Sequence, residues 1–232
     1  MVGRVLSALI VCAVLILPQE AWTSDRVHRH SITICSLIIS EMTEGRVSVA
    51  KARDISLAIA HAGNLHFGRV TCGDMWLYMA IVYIESGFRN NIINYQNCHG
   101  MFQVHAPSWA SKFGIKSRDL LDINVNAHVG IWVYKYYLEQ YKSVVPALSA
   151  YNSDHPTAAR GYARAVLSTK QSIKRRYTQL YKSFLKNEMM AFNMCWLDKT
   201  LPSSTFAEEP LPYSPMEMPL ILTGVEPPQP AS

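Results

Sequence analysis

The sequence predicts a mainly α-helical domain, and three observations carry that prediction. Apolar residues recur at three- and four-residue steps over several stretches longer than ten residues. Residues that cap or stop helices stand at the ends of those stretches. Apolar residues make up 49% of the 232-residue chain against 17% charged, a balance suited to a packed core.

The first 23 residues read as a secretory signal peptide. Arg4 supplies a positive start, Val5 to Leu17 is an uncharged, mostly apolar run of 13 residues, and Pro18 ends it. Ala21-Trp22-Thr23 places small residues at the minus-three and minus-one positions of a cleavage site. The run is shorter than the roughly 20 residues a spanning helix needs, which favours cleavage over a retained anchor. The mature chain is then expected to begin near Ser24, in the periplasm or cell envelope. Cys12 follows Val11, where a lipoprotein signal would have a small residue, so lipidation is not expected.

From Ser48 to Ala62, Val49, Ala52, Ile55, Ala58, Ile59 and Ala62 line one face of an amphipathic helix, with Gly63-Asn64 as its stop. Asp74 to Glu85 is apolar almost all round, the pattern of a helix buried on most sides. Asp74 is the expected N-cap and Gly87 the expected stop. Residues 86–121 are richer in Gly, Asn, Ser and Pro and read as loops with short helical turns. A third helix is predicted over 124–141, with Val125, Val129, Trp132, Val133, Tyr136 and Tyr137 on one face and Asn124 as cap. Pro146 marks the start of a further helix toward Tyr151. Residues 158–185 read as a basic helix. Past Asp198 the character changes: the stretch from Leu201 holds eight of the twelve prolines, four Glu and no Lys or Arg. Residues 199–232 are therefore expected to form a flexible acidic tail, leaving one domain over 24–198.

Net charge is +5, so the chain without its tail carries about nine positive charges. That balance suits anionic partners and does not choose between nucleic acid, acidic lipid and cell wall. No dense Lys/Arg run marks a nucleic-acid face; Lys174-Arg175-Arg176 reads as a solvated helix surface. Removing the signal leaves Cys35, Cys72, Cys98 and Cys195, an even count that in an exported protein implies two disulfides with three pairings open. No CxxC spacing suggests zinc or redox chemistry. Cys98-His99 with His105 is a weak metal constellation, so structural roles are preferred and neither metal nor cofactor is expected.

Glu85 is the only acidic residue between Asp74 and Asp119, and it ends the most apolar helix of the mature chain. Burial and the negative end of the helix dipole both disfavour its ionised form. A carboxyl that stays protonated near neutral pH can donate a proton to a glycosidic oxygen; the alternative is a helix-terminal Glu in water. Cys72 and Cys98 flank this helix and its following loop, and they are the favoured disulfide pair.

Four motifs follow one another in order: Glu85-Ser86-Gly87-Phe88, then Gly100-Met101-Phe102-Gln103, then Asn126 with Gly130, then Ala150-Tyr151-Asn152. Together they resemble the soluble lytic transglycosylase (SLT) domain of the lysozyme-like superfamily, whose ES, GLMQ, NxxxG and AYN motifs line a sugar cleft. The resemblance covers about 64–166. Ile93-Asn94-Tyr95, Ser108-Trp109 and Tyr162-Ala163 are similar to the small members that serve conjugation, secretion and pilus machines. Two departures touch the cleft: Met101-Phe102 stands where the family has Leu-Met, and Ser153-Asp154 where it has Ala-Gly.

The resemblance implies a goose-type, lysozyme-like helical fold with Glu85 as the single catalytic acid and base. It implies substrate contacts from Ser86, Met101, Phe102, Gln103, Tyr151 and Asn152, with the Tyr151 hydroxyl approaching the carboxyl. Local turn bonding for Ser86 and core packing for Met101 and Phe102 are the competing roles. Asn126 and Gly130 are expected to be structural. The implied reaction cleaves the β-1,4 bond between N-acetylmuramic acid and N-acetylglucosamine and closes a 1,6-anhydro ring. A lysozyme-like hydrolase and a non-catalytic wall-binding module are the alternatives. The expected partners are glycan strands and an envelope apparatus, not nucleic acid, with the protein itself monomeric.

Overall fold

The computed structural model describes the backbone of residues 19–197 and the side chains of residues 30–187. The expected signal peptide through Pro18, the expected acidic tail and the Cys195 side chain lie outside the described residues. Seven α-helices are found among the described residues: α1 (Gln19–Met42), α2 (Val49–Phe67), α3 (Cys72–Ser86), α4 (Ala106–Trp109), α5 (Ile123–Tyr141), α6 (Val144–Ser153) and α7 (Arg160–Leu197). Two short strands, β1 (Cys98–His99) and β2 (Val104–His105), pair antiparallel, with Cys98 opposite His105 and His99 opposite Val104. The mainly helical class is as the periodicity predicts.

Three helix ends differ from expectation. Helix α2 does not stop at Gly63 but runs to Phe67, with Gly68 as its cap. Gly63 serves packing instead: a Cβ there would lie 2.3 Å from the Val70 side chain. Helix α3 is capped by Thr71, not Asp74. The Thr71 hydroxyl accepts from the Asp74 N–H while the Asp74 carboxylate accepts from the Thr71 N–H, a reciprocal capping box. Asp122, not Asn124, caps α5, its carboxylate accepting from the N–H groups of Asn124 and Val125. At the two N-termini, α3 and α5, a hydroxyl or acidic residue slightly upstream satisfies the orphan donors of the first turn better than the residue the sequence favours. Gly87 does end α3, in the left-handed conformation.

Helix α1 is absent from the sequence expectation. Its Ile34, Cys35, Ile38 and Ile39 form one stripe at helical spacing, and all four are buried. It packs on α2, α2 on α5, α3 on α7, and α6 on both α5 and α7. Met79, Ala80, Ile81 and Val82 of α3 have no exposed surface. Each of the larger ones contributes on the order of 2 kcal/mol by burial, so α3 is a fixed rod that delivers Glu85 at its C-terminal end. None of the described helices is long and apolar enough to cross a membrane.

Candidate active site

Glu85 opens into a cleft of about 450 Å³. One bank is the hairpin region, with Asn94, Gln96, Cys98, Gln103, Val104 and His105. The other is the end of α6, with Tyr151, Asn152, Ser153 and Asp154; Trp109 and Val133 complete the lining.

The Glu85 carboxyl is partly buried, and no described cation forms an ion pair with it. Burial raises its pKa from an ordinary 4.5 to about 7, and the Tyr162 hydroxyl opposes that rise by donating to Oε1 at 2.6 Å. Tyr162 is held neutral, its own pKa pushed far up by burial and by the neighbouring Glu85. The site therefore holds a carboxyl poised between its two forms near neutral pH, with one oxygen fixed by Tyr162.

The structure brings Glu85, Gln103, Tyr151 and Asn152 to the cleft, and it departs from expectation for Ser86, Met101 and Phe102. Met101 and Phe102 are completely buried, so their side chains offer no surface to a sugar. Both belong to the hydrophobic core. Gly130 of α5 makes this possible, since a Cβ there would lie 2.4 Å from the Phe102 ring. Ser86 is buried too, and its hydroxyl donates back to Val82 O at 3.1 Å. That is the local helix bond of a serine at a helix end, not a substrate contact.

The Tyr151 hydroxyl donates to Phe102 O at 2.8 Å, and Glu85 adds to the rise in its pKa after burial; the hydrogen bond to the carboxyl itself comes from Tyr162. Gln103 lines the cleft at φ 48°, with Nε2 donating to Gly100 O at 2.8 Å. Asn126 is structural, as expected. Its Nδ2 donates to His99 O and Leu120 O at 2.9 and 2.8 Å, and its Oδ1 accepts from Phe102 N at 2.7 Å. One side chain thus pins the hairpin turn to α5.

One site feature escapes the sequence reading. The contact of Tyr162 with Glu85 spans 77 residues; the only signal is the Tyr162-Ala163 similarity, to which no role attaches. Asp154 stands where the sequence already departs from the family pattern at the cleft. It caps α6 in the left-handed conformation at φ 56°, lines the cleft, and accepts a hydrogen bond from the Tyr137 hydroxyl. Burial raises the Cys98 thiol pKa, Asn94 opposes the rise, and Glu85 and Asp154 both add to it, so the two carboxylates bear on the same group.

The expected Cys72–Cys98 disulfide is not formed; both are free thiols. Cys72 opens α3 and Cys98 lies beside Glu85 at its far end. Thirteen helical rises of 1.5 Å between Cys72 and Glu85 put about 20 Å between the two ends, far beyond the roughly 7 Å that bridged Cα atoms allow. No group of three or more His, Cys, Asp or Glu among the described residues is arranged to hold a metal ion.

Comparison of the chain with curated proteins and with solved structures finds no match. Residues 73–177 match the family model of the transglycosylase SLT domain. Members of that family are generally lytic transglycosylases, with peptidoglycan as substrate. The matched segment begins one residue into α3 and takes in the hairpin, α5, α6 and Tyr162. Over that segment the chain matches the transglycosylase SLT domain, a family of the lysozyme-like superfamily.

Proposed function

We propose that this chain is a peptidoglycan lytic transglycosylase in which Glu85 serves as both acid and base. The observation that carries this reading is the Glu85–Tyr162 pair at the cleft: a carboxyl whose pKa is raised to about 7, hydrogen-bonded on one oxygen only. Protonated Glu85 donates its proton to the oxygen leaving C1 of N-acetylmuramic acid. The carboxylate left behind is steadied by the Tyr162 hydroxyl at Oε1. It then takes the proton of the same sugar's C6 hydroxyl, whose oxygen closes on C1. One group gives a proton and recovers one, so no water is consumed and the product is a 1,6-anhydro sugar.

Asp154 favours a second reading. A carboxylate in the same cleft is what a hydrolase uses to activate water or stabilise the cationic transition state. Analysis of the chain ends released from purified wall separates the two: 1,6-anhydro ends support the lyase, reducing ends the hydrolase. No release by the wild-type protein under either analysis leaves only a wall-binding module.

The signal-peptide layout supports export to the periplasm or envelope, followed by local wall opening for an assembling secretion, conjugation or pilus apparatus. N-terminal sequencing of the exported product tests the first step. A start near Ser24 is expected, and an intact Met1 on a cytoplasmic protein would overturn it.

A further inference from the structure

The Cys72–Cys98 pair is held apart by the length of α3, but the same structure makes a different pair of thiols neighbours. Cys72 Sγ lies 3.9 Å from Ser31 Oγ on α1 and donates to the Tyr177 hydroxyl of α7 at 3.7 Å. Tyr177 in turn is 2.8 Å from Ser31 Oγ. Three helices therefore meet at one small polar seam. Cys35 stands four residues after Ser31 on α1, and side chains four apart on a helix stack on one face. Cys35 is thereby turned to the seam that Cys72 enters. The electrostatics agree with the placement. Burial, and then Cys72, pushes the Cys35 thiol up to about 12. The Tyr177 hydroxyl is pushed up by burial first, with both thiols adding to the rise. The two thiols are not equivalent: Cys35 is buried, whereas Cys72 is partly exposed at the start of α3.

We propose that Cys35 and Cys72 form a disulfide when the protein meets a thiol–disulfide oxidant, stapling α1 to the first turn of the Glu85 helix. The partly exposed Cys72 thiolate attacks the oxidant's disulfide, forming a mixed disulfide and releasing one thiol. The Cys35 thiolate then attacks Cys72 Sγ, forming the intramolecular bond and releasing the second thiol. The two cysteine protons end on the released thiolates or on water. The two protein thiols are oxidised, and the oxidant's disulfide is reduced to two thiols. The second step is slow near neutral pH because Cys35 is held protonated, and it quickens as pH rises.

The bond ties a helix that precedes the matched segment 73–177 to that segment's first helix. It closes a long chain loop, which removes conformations from the unfolded chain. The proposal does not depend on the wall-cleavage reading, because its test uses no activity.

The full chain, purified in reductant, is exchanged into a buffer of oxidised and reduced glutathione and digested without reduction for mass spectrometry. A linked Cys35–Cys72 peptide is expected, appearing faster at pH 8.5 than at pH 7. The melting temperature of the oxidised wild type should fall on the order of 10 °C when dithiothreitol is added. Cys72→Ser and Cys35→Ala should each show no response to dithiothreitol, which keeps the test meaningful if either variant is somewhat less stable. Both thiols alkylated by iodoacetamide in denaturant after oxidation, or Cys72 linked instead to Cys98 or Cys195, would overturn the proposal.

Discussion

Substituting Gln for Glu85 acts on stability and on turnover through the same carboxyl, and in opposite directions. The Glu85 pKa rises from 4.5 to about 7 in the folded protein. At about 1.4 kcal/mol per pH unit, the ionised form costs the fold up to about 3.5 kcal/mol, which its partial contact with water reduces to about 2. The sign follows from linkage. A group whose folded pKa is raised contributes nothing unfavourable below about pH 4.5, where both states are protonated. Stability is lost as pH climbs through about 7 and then levels off. Gln carries no such penalty and still offers Tyr162 an acceptor oxygen. Glu85→Gln should therefore melt with the wild type at pH 4 and about 4–8 °C above it at pH 8. Release of 1,6-anhydromuropeptides should fall at least about a hundredfold, while wall fragments still bind. Circular-dichroism melts at the two pH values and a muropeptide assay read both arms. Equal melting differences at pH 4 and pH 8 would show that Glu85 is not held toward its neutral form. Near-normal release would remove it from the reaction.

Further outcomes follow from the same geometry. Tyr162→Phe removes the bond that opposes the rise in the Glu85 pKa, so the alkaline fall of kcat/KM should move upward by about one pH unit; a fall that stays in place argues that Tyr162 does not touch the working carboxyl. Asp154→Asn should keep 1,6-anhydro ends and most of the rate, whereas loss of rate together with reducing ends in the wild type would favour the two-carboxylate hydrolase. Asn126→Ala leaves Phe102 N, His99 O and Leu120 O without their partner. It should cost about 3 kcal/mol or more in a denaturant titration, and a loss below about 1 kcal/mol would mean that the hairpin turn is held some other way.

The helices that position the site are legible because their signals are local. Apolar stripes at helical spacing mark α2 and α5, a run apolar almost all round marks α3, and Gly87 marks the end of α3 where Glu85 sits. What is missed depends on partners elsewhere in the chain. Gly63 looks like a stop until Val70 is seen to need its missing Cβ. Asp74 looks like a cap until Thr71 is seen to share the task. Helix α1 has its own apolar stripe, but mostly polar and charged residues from Ser24 to Ser31 precede it and no strong N-cap signal marks where the helix starts. The small hairpin of two-residue strands leaves no periodicity at all.

At the site the same division decides which motif residues reach the cleft. The order of Glu85, Gln103, Tyr151 and Asn152 is readable, and all four reach the cleft. Depth is not readable: with no Cβ on Gly130, Phe102 sinks fully into the core beside α5. Phe102 then offers Tyr151 its backbone carbonyl in place of a ring surface for sugar. With the Tyr151 hydroxyl engaged there, the carboxyl's partner comes from α7, through Tyr162. Core packing under the cleft thus determines which tyrosine touches Glu85. A Tyr151→Phe change should therefore disturb the Phe102 turn and leave the pH profile in place, while Tyr162→Phe should do the reverse.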